Sequence, residues 1–256
     1  TSPAGSADGR GDPGHADATH RQSFDEELKR LQSLIARMGG IAEHQLADAI
    51  QAVADRDSER ASATVRGDQK VDDLEREVDD LVVHIMALRQ PVAVDLRTIL
   101  SALKISADLE RIADYAANVA KRALALNQVA PVRPVHAIPR MGQVVKEMIK
   151  DVLDAYVNGD VPKAVRVWNR DEELDEMYSS LFRELLTYMM EDARNITAST
   201  HLLFIAKNIE RIGDHATNIA ETIHFLVEGR PLREARPKHD ETSFAVVKPV
   251  GAGSGR

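Results

Sequence analysis

The chain repeats itself, and this internal duplication limits the folds that it can adopt. Arg37-Met38-Gly39 recurs 103 residues later as Arg140-Met141-Gly142. Further along, Glu110-Arg111-Ile112-Ala113-Asp114 recurs 100 residues later as Glu210-Arg211-Ile212-Gly213-Asp214. Identities return in the same order over most of each half, so the two halves are expected to fold as two copies of one unit.

Hydrophobic residues in each half recur every three or four positions, as on one face of a helix. Between Gly14 and Pro91, and again between Pro162 and Pro231, no proline interrupts the pattern. The alternation that is typical of strands is absent. The spacing predicts six long helices, over about residues 24–56, 58–89, 93–127, 139–158, 161–190 and 195–228.

Together, the duplication and the helices predict an all-α fold of two tandem three-helix bundles. The first repeat spans residues 23–128 and the second spans 139–230. The proline-containing segment 129–138 is the predicted linker. Residues 1–22 and 231–256 hold seven of the 14 glycines, and we predict that these tails are largely disordered.

Composition excludes several classes of protein. The 33 Lys and Arg residues against 41 Asp and Glu residues give a net charge of −8, which argues against a nucleic-acid binder. Without cysteine, any metal must be bound by oxygen or imidazole ligands. No apolar run is long enough to span a membrane and no signal peptide is visible, so we expect no membrane insertion and a cytoplasmic location.

A stripe of polar oxygen ligands recurs on the last helix of each half. Glu110, Asp114 and Asn118 share one face, and Glu210, Asp214, Asn218 and Glu221 fall within an arc of roughly 80°. A similar stripe, Asp68, Asp72, Glu75 and Asp79, lies on the second helix. Two carboxylates ~6 Å apart repel by about 2.8 kcal/mol at an effective dielectric constant of 20. Either a bound metal ion or nearby cations such as Arg111 and Arg211 must offset that repulsion.

Four motifs in this order carry a resemblance to a known family. They are Arg89-Gln90-Pro91-Val92-Ala93-Val94-Asp95-Leu96-Arg97, Asp108-Leu109-Glu110-Arg111-Ile112-Ala113-Asp114, Tyr188-Met189-Met190-Glu191-Asp192-Ala193-Arg194 and the segment from Asn208 to Glu221. With these motifs, the chain resembles the PhoU family of phosphate-transport accessory regulators over about residues 24–230.

The resemblance implies a duplicated three-helix-bundle protein of the bacterial cytoplasm, usually a homodimer. It implies a negative regulator of the phosphate-starvation response and an adaptor that modulates phosphate uptake. Its partners would be the ATPase subunit of the phosphate-specific ABC transporter and a membrane sensor histidine kinase.

Some members of this family carry multinuclear iron or zinc clusters on Glu/Asp-x-x-x-Asp motifs. The resemblance places these motifs on the pairs Asp68/Asp72, Glu75/Asp79, Glu110/Asp114, Asp171/Asp175 and Glu210/Asp214. With Asn118, Asn218 and Glu221 from the stripes, they form our set of candidate metal ligands. The two halves differ, because Tyr178 and Phe182 stand where the first half has Glu75 and Asp79.

Two alternatives to an adaptor remain open at this stage. A ferritin-like di-metal enzyme needs two Glu-x-x-His pairs, but only Glu221 and His224 form one. A metal-storing or purely structural carboxylate bundle is the other alternative. No phosphate-binding glycine loop or dinucleotide motif appears, so we predict a protein that is not an enzyme.

Overall fold

The computed structural model describes residues 13–89 and 91–232, with side chains from residue 22 onward. All regular structure in these residues is helical. The α-helices are α1 (Pro13–Asp55), α2 (Ser58–Gly67), α3 (Gln69–Arg89), α4 (Ala93–Leu126), α5 (Ala137–Asn158), α6 (Val161–Asn169), α7 (Asp171–Glu191) and α8 (Ile196–Glu228). Short 3₁₀ turns, Arg133–His136 and Ala193–Asn195, precede α5 and α8.

The prediction of six long helices in two repeats is confirmed, with one refinement. The second predicted helix is interrupted at Asp68, between α2 and α3, and the fifth at Arg170, between α6 and α7. Gly67 and Asn169 precede these interruptions, and both residue types have low helix propensity. The interruptions fall at equivalent places in the two repeats and put Asp68 and Asp171 beside the first turn of the following helix.

The predicted start of the first helix is wrong. Helix α1 begins at Pro13 rather than near residue 24, because proline is tolerated in a first helical turn and a helix extends readily from a formed nucleus. Helix α5 begins at Ala137, close to its predicted start near residue 139, so the end of the predicted linker is helical. The rest of the predicted tails, residues 1–12 and 233–256, lies outside the described residues.

One aspartate caps the start of α2 in the first repeat, and an equivalent aspartate caps the start of α6 in the second. The Asp57 side chain accepts a hydrogen bond from the Arg60 backbone N–H at 3.0 Å, and Asp160 accepts one from Lys163 at 2.9 Å. These contacts satisfy N–H groups that have no partner within the helix. The same cap therefore fixes the same turn in both repeats.

Helices α4 and α8 form the antiparallel centre of the molecule. Lys104 near the start of α4 lies 5.9 Å from the Phe225 ring near the end of α8, and Arg122 near the end of α4 lies 4.4 Å from the Phe204 ring near the start of α8. Helices α1 and α5 pack on this pair and on each other. The repeats consequently share one hydrophobic core rather than forming two separate bundles.

The α2–α3 and α6–α7 segments flank this four-helix centre. The first packs on α1 and α4, and the second packs on α5 and α8. Gly213 allows close approach of α7 to α8, because a Cβ atom at this position would collide with the Leu174 side chain. Within residues 13–89 and 91–232, no helix is both long and apolar enough to cross a membrane.

Candidate acidic sites between the helices

The first acidic face lies where α3 packs on α4. We use this name for seven side chains. Asp68 directly precedes α3, Asp72, Glu75 and Asp79 lie in α3, and Glu110, Asp114 and Asn118 lie in α4. Most of these side chains are half-buried, and Asp79 is exposed. The structure thus brings together the two stripes of the first repeat that the sequence placed on separate helices.

Burial and mutual repulsion raise the pKa values of three carboxyl groups in this face. Burial is the main cause for Asp68, and the charges of Asp114 and Asp72 add to it. Burial likewise raises the pKa of Glu75, with repulsion from Asp79 and Asp72. For Glu110, burial is again the largest cause, and the Arg111 charge opposes it. The folded protein therefore disfavours the charged form of these three carboxyl groups.

Cations of the protein neutralise the first acidic face only weakly. Arg111 Nε lies 3.5 Å from Glu110 Oε2, and its Nη1 lies 3.8 Å from Asp114 Oδ2. The Arg111 side chain is 58% exposed, so solvent screens both pairs. Lys121 donates to the Asn118 side-chain oxygen at 3.3 Å, which occupies part of one predicted metal ligand.

The second acidic face lies where α7 packs on α8 and is more deeply buried. We use this name for Asp171, Asp175, Glu210 and Asp214. Asp171, Asp175 and Glu210 are 1%, 3% and 5% exposed. Asp171 accepts a hydrogen bond from the Thr217 hydroxyl at 3.3 Å, so part of this face is satisfied by neutral donors.

Glu210 is the most perturbed carboxyl group of this face. Burial raises its pKa to about 7, although Lys207 lowers it and Asp214 and Asp175 raise it further. Lys207 Nζ lies 3.0 Å from Glu210 Oε2 and 4.8 Å from the centre of the Tyr178 ring. A lysine of the protein therefore occupies a position beside Glu210 where the sequence suggested a metal ion.

The structure separates Asn218 and Glu221 from the other predicted ligands of the second repeat. Asn218 donates to Asp108 of α4 at 3.3 Å, and Glu221 accepts a hydrogen bond from the Trp168 indole at 2.9 Å. Both line a cleft on the α4 side of α8, whereas Glu210 and Asp214 line another cleft with Asp175. The predicted ligands of this repeat thus line two clefts, and their assignment to one metal site stays a prediction.

A polar cluster joins the two repeats beside the second acidic face. His215 Nδ1 lies 2.8 Å from Asp108 Oδ1, and the His215 and Tyr115 ring centres are 5.7 Å apart. Arg211 lies over the Tyr115 ring and donates to its hydroxyl at 3.4 Å. Sequence analysis missed this cluster. Its one signal was the pairing of His215 with Tyr115 at equivalent positions of the repeat.

The positions of the carboxylates determine what each face can bind. Within residues 22–89 and 91–232, no three His, Asp or Glu side chains are grouped as a metal ion requires. A metal-ready group of ligands is thus not preformed in these residues, and the iron or zinc ligands stay a prediction. The first acidic face fits a metal better by donor chemistry, because it gathers hard oxygen ligands with few close cations.

The fold and the two faces define a class of protein. It is a duplicated helix bundle whose repeats meet along their last helices and whose acidic faces lie between helices. The PhoU domain family matches residues 35–123 and 138–223, one match in each repeat.

Relatives and solved structures agree with this match. The phosphate-specific transport system accessory protein PhoU homolog of Caulobacter vibrioides is 54% identical over 87% of this chain and 97% of its own length. The homolog of Rhizobium meliloti is 47% identical over 86% of this chain and 94% of its own length. The crystal structure of PhoU from Pseudomonas aeruginosa superposes with a TM-score of 0.79 at 40% identity, covering 81% of this chain and 100% of that structure.

The chain belongs to the PhoU family. This membership confirms the family resemblance read from the motifs, and it supports a regulatory accessory protein rather than an enzyme.

Proposed function

We propose that this chain is a regulatory accessory protein of phosphate-specific transport that represses the phosphate-starvation response while phosphate is abundant. The observation that carries the proposal is the family match in both repeats, with a relative named as a phosphate-specific transport system accessory protein that is matched over 97% of its length. In this proposal, the protein is an adaptor between the transporter ATPase subunit and the sensor histidine kinase.

An adaptor needs exposed surfaces for its partners, and the junction of α3 and α4 offers one. Of the eleven large hydrophobic side chains that are exposed in the described residues, six lie between residues 83 and 100. We call them the apolar tip: Val83, Met86, Leu88, Val92, Val94 and Leu100. Exposed apolar side chains that concentrate in one stretch of the chain, as these do, are candidates for a protein contact site.

The backbone at the apolar tip supports the same interpretation. Ala93 has a φ angle of 44°, in the left-handed region that is unfavourable for a residue with a Cβ atom. Val92 and Val94 on either side of it are 72% and 59% exposed. Unfavourable conformations of this kind often persist at functional positions, so we infer that the transporter ATPase contacts this tip.

The first experiment deletes the gene and measures alkaline phosphatase in phosphate-rich medium. We expect constitutive phosphatase expression that the wild-type gene reverses. Normal repression in the deletion strain would contradict the regulatory proposal and would favour the metal-storing or structural bundle.

A second experiment tests the contact surface. The double variant Val92→Ser, Val94→Ser should lose most co-purification with the transporter ATPase and should fail to restore repression. The matched control is Val157→Ser, which changes another exposed valine, 67% exposed, at the end of α5. Equal recovery of the ATPase by both variants would exclude the apolar tip as the contact.

We further propose that the first acidic face binds iron or zinc. Its support is the repulsion among Asp68, Asp72, Glu75, Glu110 and Asp114, which a bound cation would remove. The cation would supply charge neutralisation and would hold α3 against α4. The homodimer that the family resemblance implies also stays a prediction, and analytical ultracentrifugation would test it.

A further inference from the structure

A pocket of about 360 Å³ lies beneath the linker that joins the two repeats. Its apolar wall comes from both repeats and from the linker itself: Val53 of α1, Leu126 of α4, Val132 of the linker and Leu202 of α8. These side chains are all buried. The volume falls in the range of small-molecule sites, roughly 300–1,000 Å³.

The polar residues that line this linker pocket are all basic. They are Arg56, Arg133 and His136, and the ten lining residues include no Asp or Glu. Within the described part of the chain, none of the three forms an ion pair with a carboxylate. In a chain with a net charge of −8, an apolar pocket whose only charged lining residues are two arginines favours an anionic ligand.

Arg56 is held in place by neutral groups. It has a φ angle of 56°, and its guanidinium Nη2 donates to the carbonyl oxygens of Asn127 at 2.9 Å and Val129 at 2.7 Å. The nearest acidic residues in the sequence have other partners, since Asp55 accepts from Gln51 and Asp57 caps α2. The Arg56 charge is thus fixed in position and left available to a ligand.

We propose that the linker pocket binds a small amphipathic anion. The apolar body of this ligand lies against Val53, Leu126 and Leu202, and its carboxylate, sulfonate or phosphate group lies at Arg56 and Arg133. Because both repeats and the linker form the wall, ligand binding is linked to the packing of the two repeats. This site would give the proposed regulator a small-molecule input that is independent of the acidic faces.

The test uses 8-anilinonaphthalene-1-sulfonate, which combines a compact aromatic body with one sulfonate. We expect saturable binding of one molecule per chain by isothermal titration calorimetry and by fluorescence. Arg133→Gln should weaken binding about tenfold through loss of a charge-assisted contact. Ala54→Phe should weaken it at least as much, because Ala54 is an exposed residue of the pocket rim whose enlargement fills the space.

Two controls separate the pocket from general affinity for the protein. Arg140→Gln removes an exposed basic residue of α5 that does not line the pocket, and it should leave binding unchanged. N-phenyl-1-naphthylamine, which lacks the sulfonate, should bind more weakly and should respond to Ala54→Phe but not to Arg133→Gln. Inorganic phosphate, which lacks the apolar body, should not compete at millimolar concentration.

The thermal melting curve of each variant is compared first, since the sulfonate dye also binds partly unfolded chains. Given matching melting curves, equal dye affinity in the wild type, Arg133→Gln and Ala54→Phe would overturn the proposal. The absence of saturable binding to the wild type would also overturn it. Neither result would bear on the deletion experiment that tests the phosphate-transport role.

Discussion

Glu210 makes the stability of this protein depend on pH in a direction that can be worked out. Its pKa in the folded chain is about 7, against an ordinary value of 4.5, chiefly because it is buried. Below pH 4.5 the carboxyl group is protonated in both the folded and the unfolded chain, so its ionisation does not change the free energy of unfolding. Between pH 4.5 and 7 the unfolded chain releases the proton while the folded chain keeps it, so stability falls as pH rises.

The magnitude follows from the size of this pKa change. Each unit corresponds to about 1.4 kcal/mol, so the free energy of unfolding should fall by about 3 kcal/mol from pH 4.5 to pH 7 through Glu210 alone. The variant Glu210→Gln cannot ionise. Its stability should exceed that of the wild type progressively more as pH rises, and the difference should become constant above pH 7.

Urea unfolding from pH 4.5 to 8.5, with a metal chelator present, measures this difference. The chain has one tryptophan, Trp168, which is 3% exposed, so its fluorescence and the circular dichroism of the helices provide two probes. The matched control is Glu176→Gln, which removes an exposed carboxylate from α7. Parallel pH curves for the wild type and Glu210→Gln would show that Glu210 is not held in a destabilising environment.

Three further predictions follow from the packing and the charges. After incubation with iron or zinc and dialysis, the double variant Glu110→Gln, Asp114→Asn should retain less than half of the metal that the wild type holds. The control Asp73→Asn, at an exposed position, should retain all of it. Equal metal content in the double variant and the wild type would refute metal binding at the first acidic face. Gly213→Ala should destabilise the fold by about 1–3 kcal/mol, because the new Cβ atom collides with the Leu174 side chain. Gly40→Ala has no atom within 4 Å of the new Cβ and should stabilise the fold by about 0.5–1 kcal/mol. Thermal unfolding of both variants tests these opposite effects. Asp108→Asn should lower the free energy of unfolding by about 1 kcal/mol because it weakens the contact with His215, and no change on urea unfolding would show that this pair does not hold the repeats together.

Much of the fold was contained in the sequence. The three-and-four spacing of hydrophobic residues depends only on helix geometry, and the recurrence of Glu110-Arg111-Ile112-Ala113-Asp114 depends only on the order of residues. Both could be read without coordinates. The caps at Asp57 and Asp160 were predictable for the same reason, since a cap forms within four residues of the chain.

Only the tertiary structure decided how the polar residues are partnered. Asn218 and Glu221 share a helix with Glu210 and Asp214, yet they contact Asp108 and Trp168, because a helix packed on several sides offers each turn a different neighbour. Arg56 reaches the carbonyl oxygens of Asn127 and Val129 through the packing of segments that are distant in the sequence. Spacing along one helix fixes which side chains share a face, but contacts between helices depend on packing that no local pattern records.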